Sequence, residues 1–260
     1  MGTIGSALAA GLRAESWVSG VRGTTRSQTS AERARAELGI DVGTDNVALV
    51  RSVDVVFLCV KPHQCRAICE EIAADIGKRL VITTCAAIRT QDIRCWIGPD
   101  AAIVRAMPNT PCLVREGMIV LAAGDGVAET QLDVARKLFE PLGRTAVVEE
   151  QLFDGVTGLS GCGPAYVFLI IEALSEAGVK LGIPRKTSTL LAAQTLLGSA
   201  KMVLERDVHP AALKDEVTTP AGCTIDGLTA LENGRLRSTL ISGVVAAAER
   251  SAELRSPREK

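Results

Sequence analysis

Histidine is almost absent from this chain: its 260 residues include only His63 and His209. A Ser-His-Asp triad or a histidine-based metal centre has almost nothing to be built from, and no metal is expected. Aromatic residues make up 3% of the chain, so its cores must be aliphatic, drawn from the 47% of residues that are apolar. Charge of one sign is lacking too. A net charge of −1 and a pI near 6.2 exclude bulk electrostatic attraction to nucleic acid or an anionic membrane. No apolar run approaches the ~18–20 residues of a membrane span; the strongest, Val53–Val60, is short and carries Asp54. The basic and apolar regions of a signal peptide are missing from the N-terminus. The eight cysteines, Cys59, Cys65, Cys69, Cys85, Cys95, Cys112, Cys162 and Cys223, include no C-x2-C pair. They read as reduced thiols serving as small apolar residues, and a cytoplasmic location is expected.

What is present is organised in two halves, and the length suits two cores. Residues 1–150 alternate helix and strand. A helix over Ile4–Arg13 is followed by a strand at Trp17–Val21. A second helix starts at a Thr29/Glu32 capping box and runs to Leu38, stopped by Gly39. Val53–Val60 is nearly continuous in β-branched and apolar residues, the pattern of a strand buried on both faces. A helix over Gln64–Asp75 and strands at Leu80–Thr84, Ala101–Arg105, Met118–Ala122 and Thr145–Val148 follow, with a helix from about Ala128 to Leu142 between the last two. This rhythm predicts an α/β fold, a Rossmann-type doubly wound parallel sheet. Residues 151–260 read as helices throughout: Asp154–Leu181, Pro184–Arg206, Pro210–Val217, Thr224–Glu232 and Arg237–Leu254, with Gly198 expected at a close helix contact and a frayed charged tail over Arg255–Lys260. Several carry apolar residues on more than one face, as in Leu190–Leu204, so they need a further surface to bury against. A homodimer, or a higher homo-oligomer built from dimers, is expected through this half.

The chain opens on Gly2-Thr3-Ile4-Gly5 followed by a helix, which fits the second half of the dinucleotide fingerprint G-x-G-x-x-G, with Met1 in the place of an x. Two glycines at an N-terminal turn would read the same way in isolation. After the next strand come Arg22-Gly23-Thr24-Thr25-Arg26-Ser27, where an acidic residue would accept the ribose 2′-OH of NAD. Arginines and hydroxyls suit the 2′-phosphate of NADP instead. NADP is therefore the expected cofactor, with NAD the second option. The first strand of such a sheet precedes this turn and is not seen. Losing about five buried aliphatic side chains would forfeit of order 8–15 kcal/mol, comparable to the roughly 5–15 kcal/mol that holds a domain folded. The expectation is that the start was cut short, and that the chain as written has an unstable or inactive cofactor domain.

Four segments together resemble pyrroline-5-carboxylate reductases. They are Phe57-Leu58-Cys59-Val60-Lys61-Pro62, Arg105-Ala106-Met107-Pro108-Asn109-Thr110-Pro111, Leu159-Ser160-Gly161-Cys162-Gly163-Pro164-Ala165-Tyr166, and the run Lys214–Thr224. The resemblance extends in order from Gly2 to about Leu254. It implies NAD(P)H-dependent reduction of a cyclic imino acid, 1-pyrroline-5-carboxylate, to proline, with a substrate-binding role for the helical half. It also implies cofactor contacts at Asn46, at Cys59, Val60, Lys61 and Pro62, at Ala86 and Ala87 after Cys85, and at Asn109. Thr219, Gly222, Cys223 and Thr224 would bind substrate, with Thr224 bonded to the ring nitrogen as the catalytic contact. On residues alone, Thr224 reads equally as a helix N-cap. The family more often has Ser-Pro-Gly-Gly-Thr-Thr where this chain has Thr219-Pro220-Ala221-Gly222-Cys223-Thr224, so Ala221 would crowd the loop if its φ must be positive. A β-hydroxyacid dehydrogenase is the enzyme alternative; Val167 stands where its lysine should be. A non-catalytic relative that only dimerises is the other.

Overall fold

The computed structural model describes residues 2–255, which form two compact units, residues 2–161 with 247–255 and residues 162–246. The expected tail over Arg255–Lys260 lies, from Ser256 on, outside the described residues, as does Met1.

The first unit runs α1 (Thr3–Arg13), β1 (Arg22–Thr24), α2 (Gln28–Leu38), β2 (Asp41–Gly43), α3 (Asn46–Arg51), β3 (Val55–Leu58), α4 (Pro62–Ile76), β4 (Leu80–Thr83), α5 (Thr90–Ile97), β5 (Ala102–Met107), β6 (Gly117–Ala123), α6 (Glu129–Phe139), β7 (Gly143–Val147) and a short α7 (Phe153–Val156). Parallel β1 and β2 form a small sheet, and β3-β4-β5-β6-β7 form a second. No described strand joins β1 to β3, and the gap between them is where the first strand of a doubly wound sheet runs. Buried residues cover both faces of the larger sheet. Leu8, Leu12, Ile82, Val104, Leu138 and Phe139 pack on one, where Phe57 meets Phe139 edge-on at 5.7 Å. Cys65, Cys69, Ile72, Val81, Ile93 and Ile103 pack on the other. Alternate residues of β4 feed the two clusters, which is why Leu80–Thr83 is buried throughout.

The α/β reading holds, with corrections. The strand expected at Trp17–Val21 lies at Arg22–Thr24, because its partner is the three-residue β2, too short to show a period in the sequence. Helix α2 is capped by Ser27, whose side chain accepts from the Ser30 amide, not by Thr29; Gly39 ends it at φ 62°. Strands β3 to β5 are parallel, but β6 runs antiparallel to β5. Only residues 108–116 separate the two, fewer than the dozen or more that a parallel crossover needs. The first unit also extends beyond Glu150. Phe153 is buried with Val120 and Ala122, and Glu150 accepts from Thr90 and pairs with the buried Arg105 at 3.1 Å.

All eight cysteines are free thiols. Burial pushes Cys59 up to about 11. Contact with Cys69 (Sγ–Sγ 4.0 Å) together with burial pushes Cys65 up to about 12. Cys85 is raised further, by Cys65 and by burial. At pH 8 a disulfide reagent should titrate the exposed Cys95 and Cys223 quickly, and the buried Cys65, Cys69, Cys85 and Cys112 only on unfolding. These folded-state values lie above the ordinary 9.0. Their stabilising contribution is complete below pH 9 and is lost as pH rises through about 11 to 12, so a urea midpoint should fall across that window.

The second unit comprises α8 (Gly163–Lys180), α9 (Arg185–Arg206), α10 (Pro210–Glu216), α11 (Cys223–Asn233) and the first part of α12 (Leu236–Arg255). Helices α8 and α9 form a close hairpin. A Cβ on Gly178 would stand 2.0 Å from the Ser188 hydroxyl, which donates to the Ser175 carbonyl at 2.7 Å. Gly178, not Gly198, is the glycine of close contact; nothing lies within 4 Å of a Cβ at Gly198. The run 150–180 is long and apolar enough, by length and composition, to cross a membrane, which the reading of uninterrupted apolar runs did not pick out. Phe168, Leu169, Leu190, Leu197 and Ile241 are exposed in the single chain.

Candidate functional site

A cavity of about 1150 Å³ lies in the first unit, walled by α1, by β1 and β3 and by the segments that follow those two strands. Two helices begin at it. At the start of α1, Gly2 offers no side-chain cap, so the amides of the first turn keep no partner within the helix. A Cβ at Gly2 would lie 3.9 Å from the Cys59 carbonyl at the end of β3. Helix α4 starts at Lys61 with Pro62 at its first turn, again without a side-chain cap. Two uncapped helix starts on one cavity make a seat for an anion.

The charges agree with that seat. Arg22, Arg26 and Lys61 line the cavity, and Glu71 is the one carboxylate among its lining residues. Gly2, Thr3, Ile4 and Gly5 form the wall at α1; Cys59, Val60, Lys61 and Pro62 form the wall after β3. Asn46 and Ala86 complete the expected cofactor residues that the cavity brings together. Two others are not among its lining residues. Ala87 sits at φ 62°, one residue beyond Ala86. Asn109 is engaged elsewhere: its Nδ2 donates to the Ser160 carbonyl at 3.1 Å, and its Oδ1 accepts from the Met118 amide at 2.9 Å. Glu71 was not singled out from the sequence. Its partner is Asn46, which donates to it at 2.9 Å, and a contact between residues 25 positions apart leaves no local signature.

In the second unit, the segment before α11 turns sharply. Ala221 has φ 58°, in the left-handed region, and the Gly222 amide donates to the Thr219 carbonyl at 3.0 Å. A Cβ at Gly222 would stand 2.3 Å from the Thr219 hydroxyl, so the turn has no room for a side chain there. The N-cap is Gly222, not Thr224, and it contributes no side-chain bond. Thr224 is the second residue of the helix and half-buried, and no group among the described residues hydrogen-bonds to its hydroxyl. Thr219 and Cys223 are exposed beside it. The result is an uncapped helix start with an available hydroxyl, suited to a carboxylate with a polar atom close by. An alanine in the left-handed region is strained by roughly 1–2 kcal/mol. Ala221→Gly should therefore raise the urea stability of this unit by up to about 1 kcal/mol after glycine's added unfolded-state entropy is subtracted.

Residues 150–254 match the family described as pyrroline-5-carboxylate reductase dimerisation, and residues 1–87 match that described as NADP oxidoreductase coenzyme F420-dependent. A pyrroline-5-carboxylate reductase of Arabidopsis thaliana is 42% identical over 217 residues, 83% of this chain and 78% of that protein. The solved pyrroline-5-carboxylate reductase of Coxiella burnetii is similar with a TM-score of 0.92 and 37% identity, covering 97% of this chain and 95% of that one. The Plasmodium falciparum pyrroline carboxylate reductase, solved with NADP bound, has a TM-score of 0.85 and 32% identity, covering 98% of this chain and 95% of that one.

Proposed function

From the premise that this chain belongs to the pyrroline-5-carboxylate reductase family, we propose that it reduces 1-pyrroline-5-carboxylate to L-proline with NADPH, the closing step of proline biosynthesis. The observation that carries the substrate side is the uncapped start of α11, with the Thr224 hydroxyl available beside it. The α11 amides hold the substrate carboxylate. The Thr224 hydroxyl bonds the ring nitrogen, and Thr219 and Gly222 shape the turn that admits the ring. The polar end of the cavity in the first unit, at Gly2, Thr3, Arg22 and Lys61, suits a dinucleotide, while its apolar end lies in the gap between β1 and β3. The uncapped helix starts at Gly2 and Lys61 would hold the pyrophosphate, and Arg22 and Arg26 would suit the 2′-phosphate. Bound NADPH supplies the hydride. A protonated cyclic imine is already electrophilic at carbon, so the chain has to bind, orient and exclude water rather than supply a strong acid. That accords with two histidines in the whole sequence.

The assembly is a homodimer, or a larger oligomer built from dimers, through the helical unit. The exposed apolar residues of α8, α9 and α12 support a second copy as the covering surface rather than lipid. Eight unpaired thiols support a reducing compartment, the cytoplasm. The test is NADPH consumption with pyrroline-5-carboxylate, followed by detection of proline. Cofactor binding without turnover of this imine would overturn the reading. A stable monomer by light scattering would overturn the assembly.

A further inference from the structure

The chain leaving β3 is tied to the core by a thiol. Cys85, which follows β4 and is buried, donates through Sγ to the Val60 carbonyl at 3.3 Å, with the Leu58 carbonyl farther off at 3.6 Å. Contact with Cys65 and burial both keep its proton in place, so it stays a donor. The consequence lies across the Val60–Lys61 peptide. No described peptide bond is cis, and in a trans peptide the C=O and N–H point in opposite directions. With the Val60 carbonyl turned to the buried thiol, the Lys61 amide faces away from that core, toward the cavity that both residues line. No described group accepts from this amide. Without the thiol, the Val60 carbonyl loses its donor, and a buried acceptor left unmade is costly. Water in the cavity is the replacement within reach, and a peptide that turns toward it takes the Lys61 N–H inward.

We propose that Cys85 is a positioning residue for the dinucleotide: through the Val60 carbonyl it holds the Lys61 amide in the cavity, where that amide donates to the nicotinamide half of NADPH. This rests on the reading of the cavity as the NADPH site. The strands decide which half. Arg22 and Arg26, suited to the 2′-phosphate on the adenosine, belong to β1 and the segment after it, whereas Lys61 follows β3 on the other side of the gap. Plain packing makes a different prediction. Cys65, Cys69 and Cys85 are buried thiols of one core. If sulfur served there only as filling, removing Cys69 or Cys85 would loosen the cavity alike, for every part of the nucleotide.

The experiment is calorimetric titration of NADPH and of adenosine 2′,5′-bisphosphate, which lacks the nicotinamide half, into the full-length protein. Folding of each variant is checked by circular dichroism. Cys85→Ala should raise Kd for NADPH about five- to tenfold, the size expected for one hydrogen bond, and leave Kd for the bisphosphate within about twofold. Cys85→Ser keeps a donor and should bind NADPH within about twofold of wild type. Cys69→Ala removes a thiol of the same core whose sulfur partner is Cys65, and it should leave both Kd values unchanged. Should Cys85→Ala not fold, Cys85→Val, apolar and without a donor, carries the same prediction. NADPH binding by Cys85→Ala as tight as wild type would overturn the proposal. So would equal weakening of both ligands, a Cys85→Ser variant as weak as Cys85→Ala, or the same loss in Cys69→Ala. Wild-type protein that binds neither ligand would overturn the cofactor reading itself, a separate result from any variant difference.

Discussion

Thr224→Ala should lower kcat/KM for pyrroline-5-carboxylate by one to two orders of magnitude while leaving NADPH affinity unchanged. A hydrogen bond to a charged group contributes about 1.5–3 kcal/mol, and each 1.4 kcal/mol is tenfold in rate. The fold should hardly notice the loss. Thr224 is not the N-cap of α11, and its hydroxyl has no partner among the described residues, so removing it breaks no bond within the chain. Thr224→Ser keeps the hydroxyl and should recover most of the activity. Steady-state kinetics in both substrates, with the melting temperature of each variant beside them, separates a lost contact from a damaged helix. An unchanged kcat/KM in Thr224→Ala would remove Thr224 from the site.

Glu150→Leu should destabilise the first unit by about 3–5 kcal/mol, because it removes one partner of a buried ion pair. The Arg105 side chain is 4% exposed and pairs with Glu150 at 3.1 Å. Its guanidinium also lies 4.6 Å from the centre of the Phe153 ring. Glu150 also accepts from the amide and hydroxyl of Thr90 at 2.9 and 2.7 Å, so the start of α5 loses its partner as well. A fall of roughly 10 °C in the transition of this unit is expected at 2–4 °C per kcal/mol. Glu150→Gln, which keeps hydrogen bonding without the charge, should fall by less than half as much. A change of under 1 kcal/mol in Glu150→Leu would show that the pair contributes no more than a surface ion pair does.

Long buried elements were legible from residue pattern alone. Val53–Val60 and Leu80–Thr84 announced β3 and β4, because a strand covered on both faces must be apolar at nearly every position. A helix end was legible where the chain carries its own stop, as at Gly39, which has a positive φ. Short pieces were not. β1 and β2 have three residues each and owe their existence to one another. The start of α2 was read two residues late, because Ser27 and Thr29 are both competent caps and only the bond from the Ser30 amide decides between them.

The sequence by itself determined that this is a Rossmann-type half followed by a helical half, and which turn would crowd. Ala221 does sit at the positive φ that made its side chain a concern. Those features follow from local rules of period, turn geometry and composition. Only the tertiary structure decided what each side chain faces. It turned β6 antiparallel, took Asn109 to Ser160 and Met118, moved the cap of α11 from Thr224 to Gly222, and brought Glu71 to Asn46. Each of these depends on which distant segment arrives alongside, a choice made by the packing of the whole unit and written in no local run of residues.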